Sequence, residues 1–496
     1  MTATEPEPDP RRWKALAVTL TAGFMGLLDV SIVNTALPSI QRDLDATSGS
    51  IRWVVSGYAL AFGLVLVAGG RLGDALGRRR MFLGALAAFV ATSALAGAAP
   101  NETMLVIARL AQGLAAGMLT PQNSGLIQDL FRGAERGRAF GMFGAVVGIS
   151  TAVGPVLGGA ILAVFGDPGG WRWVFYVNVP IGAVAFGLAL RLLPRSAKRD
   201  VRLRSEIDFV GIALLAVAVL GVLLPLVESD QGGLRRYWWL FLVAAVFGAA
   251  FVRWERAVTR RGRAPLLDTR LFTETRGYAA GAAVGALYFT GFAGIWLVFA
   301  IFFQQGLGYT PLESGLSVTP FALGSAVAAA VAGRLVPRWG RRLTVTGLSM
   351  VAVGMLAVAL IVELVPPAWA GVAFALPLLF AGTGGGMVIS PNTTLTLECV
   401  PVRMAGVAGG ALQTGQRIGT AIGTVVLASV FGAVVVAAGG YPVALTVALC
   451  CAAAITCSAL VVAVLELRSR ARRAALSEAE RAARAAETSA ADVQRG

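Results

Sequence analysis

The sequence predicts an all-α polytopic membrane protein of fourteen transmembrane helices, built as two six-helix bundles with two helices inserted between them. Three observations carry that expectation. The 496 residues are 56% hydrophobic and 14% charged, with a mean hydropathy of +0.73, whereas soluble chains carry roughly a quarter charged residues. Two stretches 263 residues apart read alike: Gly70-Arg71-Leu72 with Gly77-Arg78-Arg79, and Gly333-Arg334-Leu335 with Gly340-Arg341-Arg342. A second set, Arg138, Gly141, Gly144, Gly154 and Gly158, recurs with the same internal spacing as Arg403, Gly406, Gly409, Gly419 and Gly423.

Apolar runs of about 18–25 residues span a hydrocarbon core of about 30 Å. In the first half they fall at 13–37, 52–71, 81–99, 103–127, 139–165 and 173–193. Two more, 208–227 and the short 238–252, follow, and the second half holds 278–303, 314–335, 343–364, 370–391, 404–437 and 441–466. An offset of about 264 maps spans one to six onto nine to fourteen and leaves the seventh and eighth unmatched. The expected organisation is a cytoplasmic N-terminus (1–12), an N-terminal bundle (13–193), the inserted pair with its linkers (194–277), a C-terminal bundle (278–466) and a cytoplasmic tail (467–496). Arg11, Arg12 and Lys14 ahead of an apolar run resemble a signal peptide, but the run continues to Pro38, contains Asp29 and lacks a cleavage site. It reads as the first span. Parallel repeats in a membrane chain are the mark of a transporter that rocks one half against the other.

The net charge of +15 invites a nucleic-acid reading, which its placement argues against. Of the 42 Lys and Arg, Arg42, Arg52, Arg172, Arg235 and Arg236 fall in one set of loops, and Arg109 and Arg417 lie inside spans. The other 35 occupy the opposite loops and the termini, including the stretches 195–204 and 253–276. By the positive-inside rule both termini are cytoplasmic, in a multi-pass protein of a bacterial inner membrane. The expected partners are protons, lipid and a small-molecule substrate, with no nucleic acid, and the protein is expected to be a monomer.

Asp29 is the expected proton-coupling residue. The chain has no histidine, so proton chemistry falls to carboxylates. One buried in a span costs about 2.5–3.5 kcal/mol unless it faces a cavity or a partner. At 1.5 Å per residue Asp29 lies roughly 22–24 Å along its helix, and Arg109, entering from the other side, about 9 Å from that surface. The two sit at similar depth and are read either as a coupled pair or as a permanent ion pair. Arg417, about 20 Å along the thirteenth span, is either a second cavity charge or a cap on carbonyls of a broken neighbouring helix. Glu228, Glu313, Glu363 and Glu398 fall at helix ends and read as interfacial. Cys399, Cys450, Cys451 and Cys457 have no CxxC spacing, and no metal or other cofactor is expected. The ninth span carries Tyr288, Trp296 and Phe299 among other aromatics, suited to line a cavity for flat compounds through stacking and cation–π contact.

These motifs together resemble the major facilitator superfamily. GRLGDALGRRR from Gly70 to Arg80 is similar to its turn between helices 2 and 3. RLAQGLAAG from Arg109 to Gly117 resembles the helix 4 motif. Gly148, Gly154, Pro155, Gly158 and Gly159 match the helix 5 pattern of proton-coupled exporters, and LDVSIVNTALP from Leu28 to Pro38 resembles the helix 1 signature of fourteen-helix drug:proton antiporters. The resemblance implies the major facilitator fold and a proton-driven multidrug exporter, with Asp29 and Arg109 in coupling. Asn34, Gln112, Gln413 and Arg417 join the aromatics as cavity candidates. Gly70, Asp74, Gly77 and Arg78 would form a conformational switch, with Asp74 docking at the N-terminus of helix 13. Pro337 stands at the equivalent place in the second half, and Ala75 replaces a usual basic residue. Gly154-Pro155 is expected to break the helix ladder and, with Gly158, to make a kinked, tightly packed seam.

The expected function is proton-coupled export of amphipathic or cationic compounds such as antibiotics. The alternative is export of one endogenous metabolite or lipid-like molecule by the same fold. A primary pump is disfavoured because no GxxxxGK[ST] occurs, and an enzyme because histidine and GxSxG are both absent.

Overall fold

The computed structural model describes residues 10–166, 168–194, 208–229, 232–438 and 440–493, so the basic stretch 195–204 and most of the 1–12 segment lie outside it. Fourteen long helices form the described chain. The first six are α1 (Arg12–Asp43), α2 (Ser48–Leu76), α3 (Arg78–Gly97), α4 (Glu102–Leu130), α5 (Gly133–Phe165) and α6 (Asn178–Leu192). Next come α7 (Phe209–Val227) and α8 (Trp239–Arg260). The last six are α9 (Tyr278–Ile301), α10 (Pro311–Trp339), α11 (Arg341–Ile361), α12 (Ala375–Thr396), α13 (Ala405–Ala438) and α14 (Tyr441–Val493). Among the described residues twelve helices have the length and hydropathy to cross a membrane, where the sequence reading expects fourteen. The two outside that count are α5, of which Val156–Phe165 registers as a shorter apolar piece, and α8, whose C-terminal end carries Arg253, Glu255, Arg256 and Arg260.

Local chemistry sets the ends. Thr47 caps α2 by accepting from the Ser50 N–H at 3.2 Å, and Asn101 caps α4 by accepting from Met104 at 2.9 Å. Thr310 and Glu313 cap α10 reciprocally. Gly77 and Gly340 hold φ of +98° and +50° between α2 and α3 and between α10 and α11. A side chain is disfavoured there, which is the physical reason both copies of the repeated turn keep glycine. Two boundaries differ from the sequence reading. α1 runs past Pro38 to Asp43, whose carboxylate then receives the Gly169 N–H and the Trp171 indole N–H, both at 2.8 Å. α14 continues to Val493, far beyond the expected end of its span.

The repeat is visible in the packing. α1 lies on α5 and α6, α2 on α4, and α3 on α4 and α6; α9 lies on α13 and α14, α10 on α12, and α11 on α12 and α14. The two sets meet through α2 with α13 and α5 with α10, and these contacts join the two repeated motifs to each other. A Cβ on Gly70 would overlap the carbonyl oxygen of Gly406, and one on Gly333 would come within 2.7 Å of Gly141. The contacts run from the end bearing these turns, the basic end, to Arg417 over Phe62 and Gly148 against Ala326 near mid-helix. An apolar cluster including Leu16, Val67, Phe140, Leu267, Tyr278 and Val407 fills the basic end. Beside it, Trp13, Arg138, Met142, Ala330 and Arg334 line a groove of about 390 Å³ between α1, α5 and α10.

The inserted helices support one of these seams. α7 and α8 approach closely at Gly221, and Val219 and Leu223 of α7 pack with Leu60 of α2 and Ile418 of α13. The segment after α8 is not a loose linker, since Leu266, Leu267 and Leu271 are buried in the basic-end cluster. Glu255, beyond the apolar part of α8, holds it by accepting from the Leu267 N–H at 3.2 Å. Burial pushes the Glu255 carboxyl up to about 8, with the neighbouring Asp208 adding to the rise and the Leu267 N–H and Arg71 opposing it.

Two outcomes follow from this packing. Gly333→Val should prise α5 from α10, so spin labels at Ala134 and Arg338 should lie farther apart than in the parent, by several ångströms in a pulsed-dipolar measurement. The folded state favours protonated Glu255, so its contribution is complete below about 4.5 and lost as pH rises through about 8. Tryptic cleavage after Arg260, Arg261 and Arg263 should therefore accelerate between pH 6 and 9 more in the parent than in Glu255→Gln.

Candidate functional site

Asp29 and Arg109 meet in the interior of the N-terminal helices, at 0% and 1% exposure. Arg109 Nη1 donates to Asp29 Oδ2. The other carboxylate oxygen receives Gln112 Nε2 at 3.0 Å and Asn178 Nδ2 at 3.2 Å. Gln112 Oε1 in turn accepts from Arg109 Nη1 at 2.8 Å, and Arg109 Nε donates to the Val54 carbonyl at 2.9 Å. The guanidinium lies over the Tyr58 ring, 4.2 Å from its centroid, while the Tyr58 hydroxyl donates to the Gly26 carbonyl at 3.0 Å. Asn178 is oriented by a further bond to Ser93 at 3.1 Å. Three side-chain donors thus satisfy both oxygens of the carboxylate. Gaining a proton would cancel the ion pair and leave Arg109 seeking another partner.

Residues on α1 adjoining Asp29 meet the α5 glycines. A Cβ at Gly154 would overlap Ser31, and one at Gly158 would lie 3.1 Å from the Ile32 carbonyl oxygen. Gly148 packs on Ala326 of α10 and Gly159 faces open space. α5 continues unbroken through Gly154-Pro155, so the expected break does not end the helix; the Pro155 side chain lies outside the described residues. The packed part of the seam is thus Gly154 and Gly158 against α1, the helix that carries Asp29.

At the basic end, Asp74 accepts from the backbone N–H groups of Gly406 and Val407 at 3.1 and 2.9 Å, at the start of α13. That is a favourable place for an anion, where N–H groups lack helical partners. Arg78 secures the carboxylate through Nε and Nη2 at 3.1 and 2.8 Å. It also donates to the carbonyls of Gly125 at 2.6 Å and Val402. Gly125 leaves the room this needs, since a Cβ there would stand 2.6 Å from Arg78 Nε. In the second half Pro337 offers no carboxylate. Arg341 instead bonds Asn392 and pairs with Glu466 of α14, both at 2.5 Å.

The cavity candidates divide. Gln112 belongs to the Asp29 cluster, and Gln413 on α13 reaches Ser124 of α4 at 3.4 Å. Asn34 is exposed and Trp296 half-buried. Tyr288 is buried, stacked on Phe292 with ring centroids 5.2 Å apart, and its hydroxyl has no hydrogen-bond partner among the described residues. Phe299 does not line open space. It is buried against Phe303 in the apolar core of the C-terminal helices, because its face of α9 turns towards that core. Among the described residues Arg417 bonds no carbonyl, contrary to one of its two readings, and stacks instead on Phe62 of α2 at 4.4 Å. Glu228, Glu313 and Glu363 do sit at or beyond helix ends.

Sequence reasoning missed Tyr58, Asn178 and Ser93 around Asp29, and Glu466 around Arg341. The polar Asn178 inside an apolar run was the available signal for the first group. The i,i+4 spacing of Glu466 and Arg470 was the signal for the second.

The Major Facilitator Superfamily family model matches residues 19–424. The chain is 36% identical over 444 residues to the "Probable actinorhodin transporter" of Streptomyces coelicolor, covering 87% of this chain and 74% of that one. It is 36% identical to the puromycin resistance protein pur8 of Streptomyces alboniger (85% and 82% covered) and 31% identical to the tetracenomycin C resistance and export protein of Streptomyces glaucescens (84% and 75%). Among solved structures, the human organic anion transporter MFSD10 superposes with a TM-score of 0.68 at 14% identity, covering 92% of this chain and all of that one. The proton:xylose symporter XylE superposes at 0.63, with 15% identity and 92% and 95% covered.

The buried pair predicts a non-additive cycle. Arg109→Gln alone, leaving Asp29 without its cation, should cost about 3–5 kcal/mol. Asp29→Asn/Arg109→Gln together should recover much of it, as read from thermal unfolding of the purified protein in detergent.

Proposed function

Because the chain belongs to the major facilitator superfamily, a family of transporters and not of enzymes, we propose that it is a proton-coupled antiporter. It exports amphipathic small molecules, antibiotics among them, across a bacterial cytoplasmic membrane by alternating access. The observation that carries the reading is a membrane-buried carboxylate, Asp29, closed in by Arg109, Gln112 and Asn178 on a helix that packs against the α5 glycines. The antibiotic resistance and export named for its relatives supports the direction and the class of cargo.

The geometry supports a cycle of these steps. With the basic end sealed, a proton arriving from the opposite side binds an Asp29 carboxylate oxygen and cancels the ion pair with Arg109. Arg109 is then anchored by Val54, Gln112 and the rings of Tyr58 and Phe175. The α1–α5 seam is freed to shift, and the two six-helix units rock about it. Asp74 leaves the start of α13 as Gly70 parts from Gly406, and the basic end, which is cytoplasmic in this reading, opens. Cargo enters there, the proton leaves Asp29 to the cytoplasm, and Arg109 reclaims the carboxylate. One proton moving down 100 mV supplies about 2.3 kcal/mol, enough for roughly a fiftyfold gradient of neutral cargo.

The test is efflux of a panel of fluorescent amphipathic compounds from cells expressing the parent or Asp29→Asn, with and without a protonophore. The parent should export at least one of them in a protonophore-sensitive way, and the variant, present in the membrane at equal amount, should lose that component. Parent-like, protonophore-sensitive efflux by Asp29→Asn would sink the assignment.

A further inference from the structure

Arg417 is the charge left over when the interior is balanced. Arg109 is neutralised by Asp29. Asp74 and Glu466 lie at the basic end and are engaged by Arg78 and Arg341, and Glu255 lies at the same end under α8, bonded to Leu267. Arg417, seven residues along α13 from Gly410, is part-exposed, and its guanidinium makes no hydrogen bond and no ion pair among the described residues. The guanidinium stacks on the Phe62 ring, on the opposite set of helices.

Its position matters as much as its charge. A Cβ at Gly410 would overlap the Leu66 carbonyl, so α2 and α13 touch backbone to backbone nearer the basic end than Arg417 and Phe62. The arginine therefore lies between the halves, about two turns of α13 beyond that contact. On α2 the rings of Tyr58 and Phe62 are stacked 6.2 Å apart, and each carries one arginine. The first arginine has a carboxylate. The second has none among the described residues, and Asp29 cannot serve it while three donors hold its oxygens. An uncompensated cation at this depth is costly, and an anion that reached it would offset the cost.

We infer that Arg417 is the recognition site for an anionic group on the exported compound, a carboxylate or ionised phenol on an apolar or aromatic body. The inference rests on the export reading and narrows its cargo from amphipathic or cationic compounds to acidic ones. A planar guanidinium receives a carboxylate through two parallel N–H bonds. Stacking on Phe62 belongs to the state with the basic end sealed. When α2 and α13 part, the guanidinium comes free on the side from which cargo loads, and resealing returns it to the ring and releases the anion outward.

The experiment uses full-length protein in everted vesicles energised to pump, and 1-pyrenebutyrate, its methyl ester and a pyrenebutyl ammonium analogue, beside aromatic acids and phenols each paired with its ester or ether. The parent should accumulate acids in preference to their neutral partners. Arg417→Gln should collapse that preference by about tenfold to a hundredfold, and Arg417→Lys should restore part of it. Unchanged preference in Arg417→Gln, or a parent that takes the ammonium analogue over the acid, would overturn the inference while leaving export intact. If the parent exports no member of the panel, the export reading fails and the inference fails with it.

Discussion

Close approach of two backbones, glycine against glycine, is the constraint on which the rest of the architecture depends. Gly70 meets Gly406 on one seam, and Gly333 meets Gly141 on the other. In a bilayer, helices gain little from burying apolar surface against one another, so van der Waals contact and polar bonds decide which faces associate. Removing the Cβ at these four positions brings main chains together and places the Gly406 and Val407 N–H groups within reach of Asp74. The apolar plug of Leu267, Leu271 and Phe140 can fill in behind only because the backbones have already met.

The same economy of charge runs through the N-terminal helices. Asp29 is not merely beside Arg109 but enclosed by amides that have no proton to lose, from α4 and α6. Arg109 is held by a carbonyl and a ring as well as by the carboxylate, so the pair is anchored to α2 as well as joining α1 to α4.

Much of this was legible in the sequence, and the reason is periodic. A repeat of 263 residues with glycines at fixed offsets records backbone contacts that a membrane enforces twice. It disclosed an all-helical, many-span chain but not that the two repeated motifs touch each other. The depth of Asp29 and Arg109 along their helices brought those two together, because rise per residue is regular. Asn178 and Tyr58 stayed hidden, since their approach depends on how α2 and α6 are rotated. Rotation follows from packing that sequence patterning reports poorly when a helix is apolar all round. Phe299 failed for the same reason, its aromatic face being turned inward. Glu466 was overlooked because α14 continues as helix beyond its apolar stretch, making an interior carboxylate look like the first residue of a tail.

Pro337, where the first half has Asp74, makes the two seams mechanically unlike. Along α2 and α13 a carboxylate bolts one half to the other. Along α5 and α10 nothing of opposite sign crosses the contact among the described residues, and Arg138 and Arg334 face the same groove from either side. One edge is latched and the other mildly repulsive. In the proposed cycle that asymmetry would give the gate a handedness, opening from the α5–α10 edge with the α2–α13 edge as the jamb that yields last.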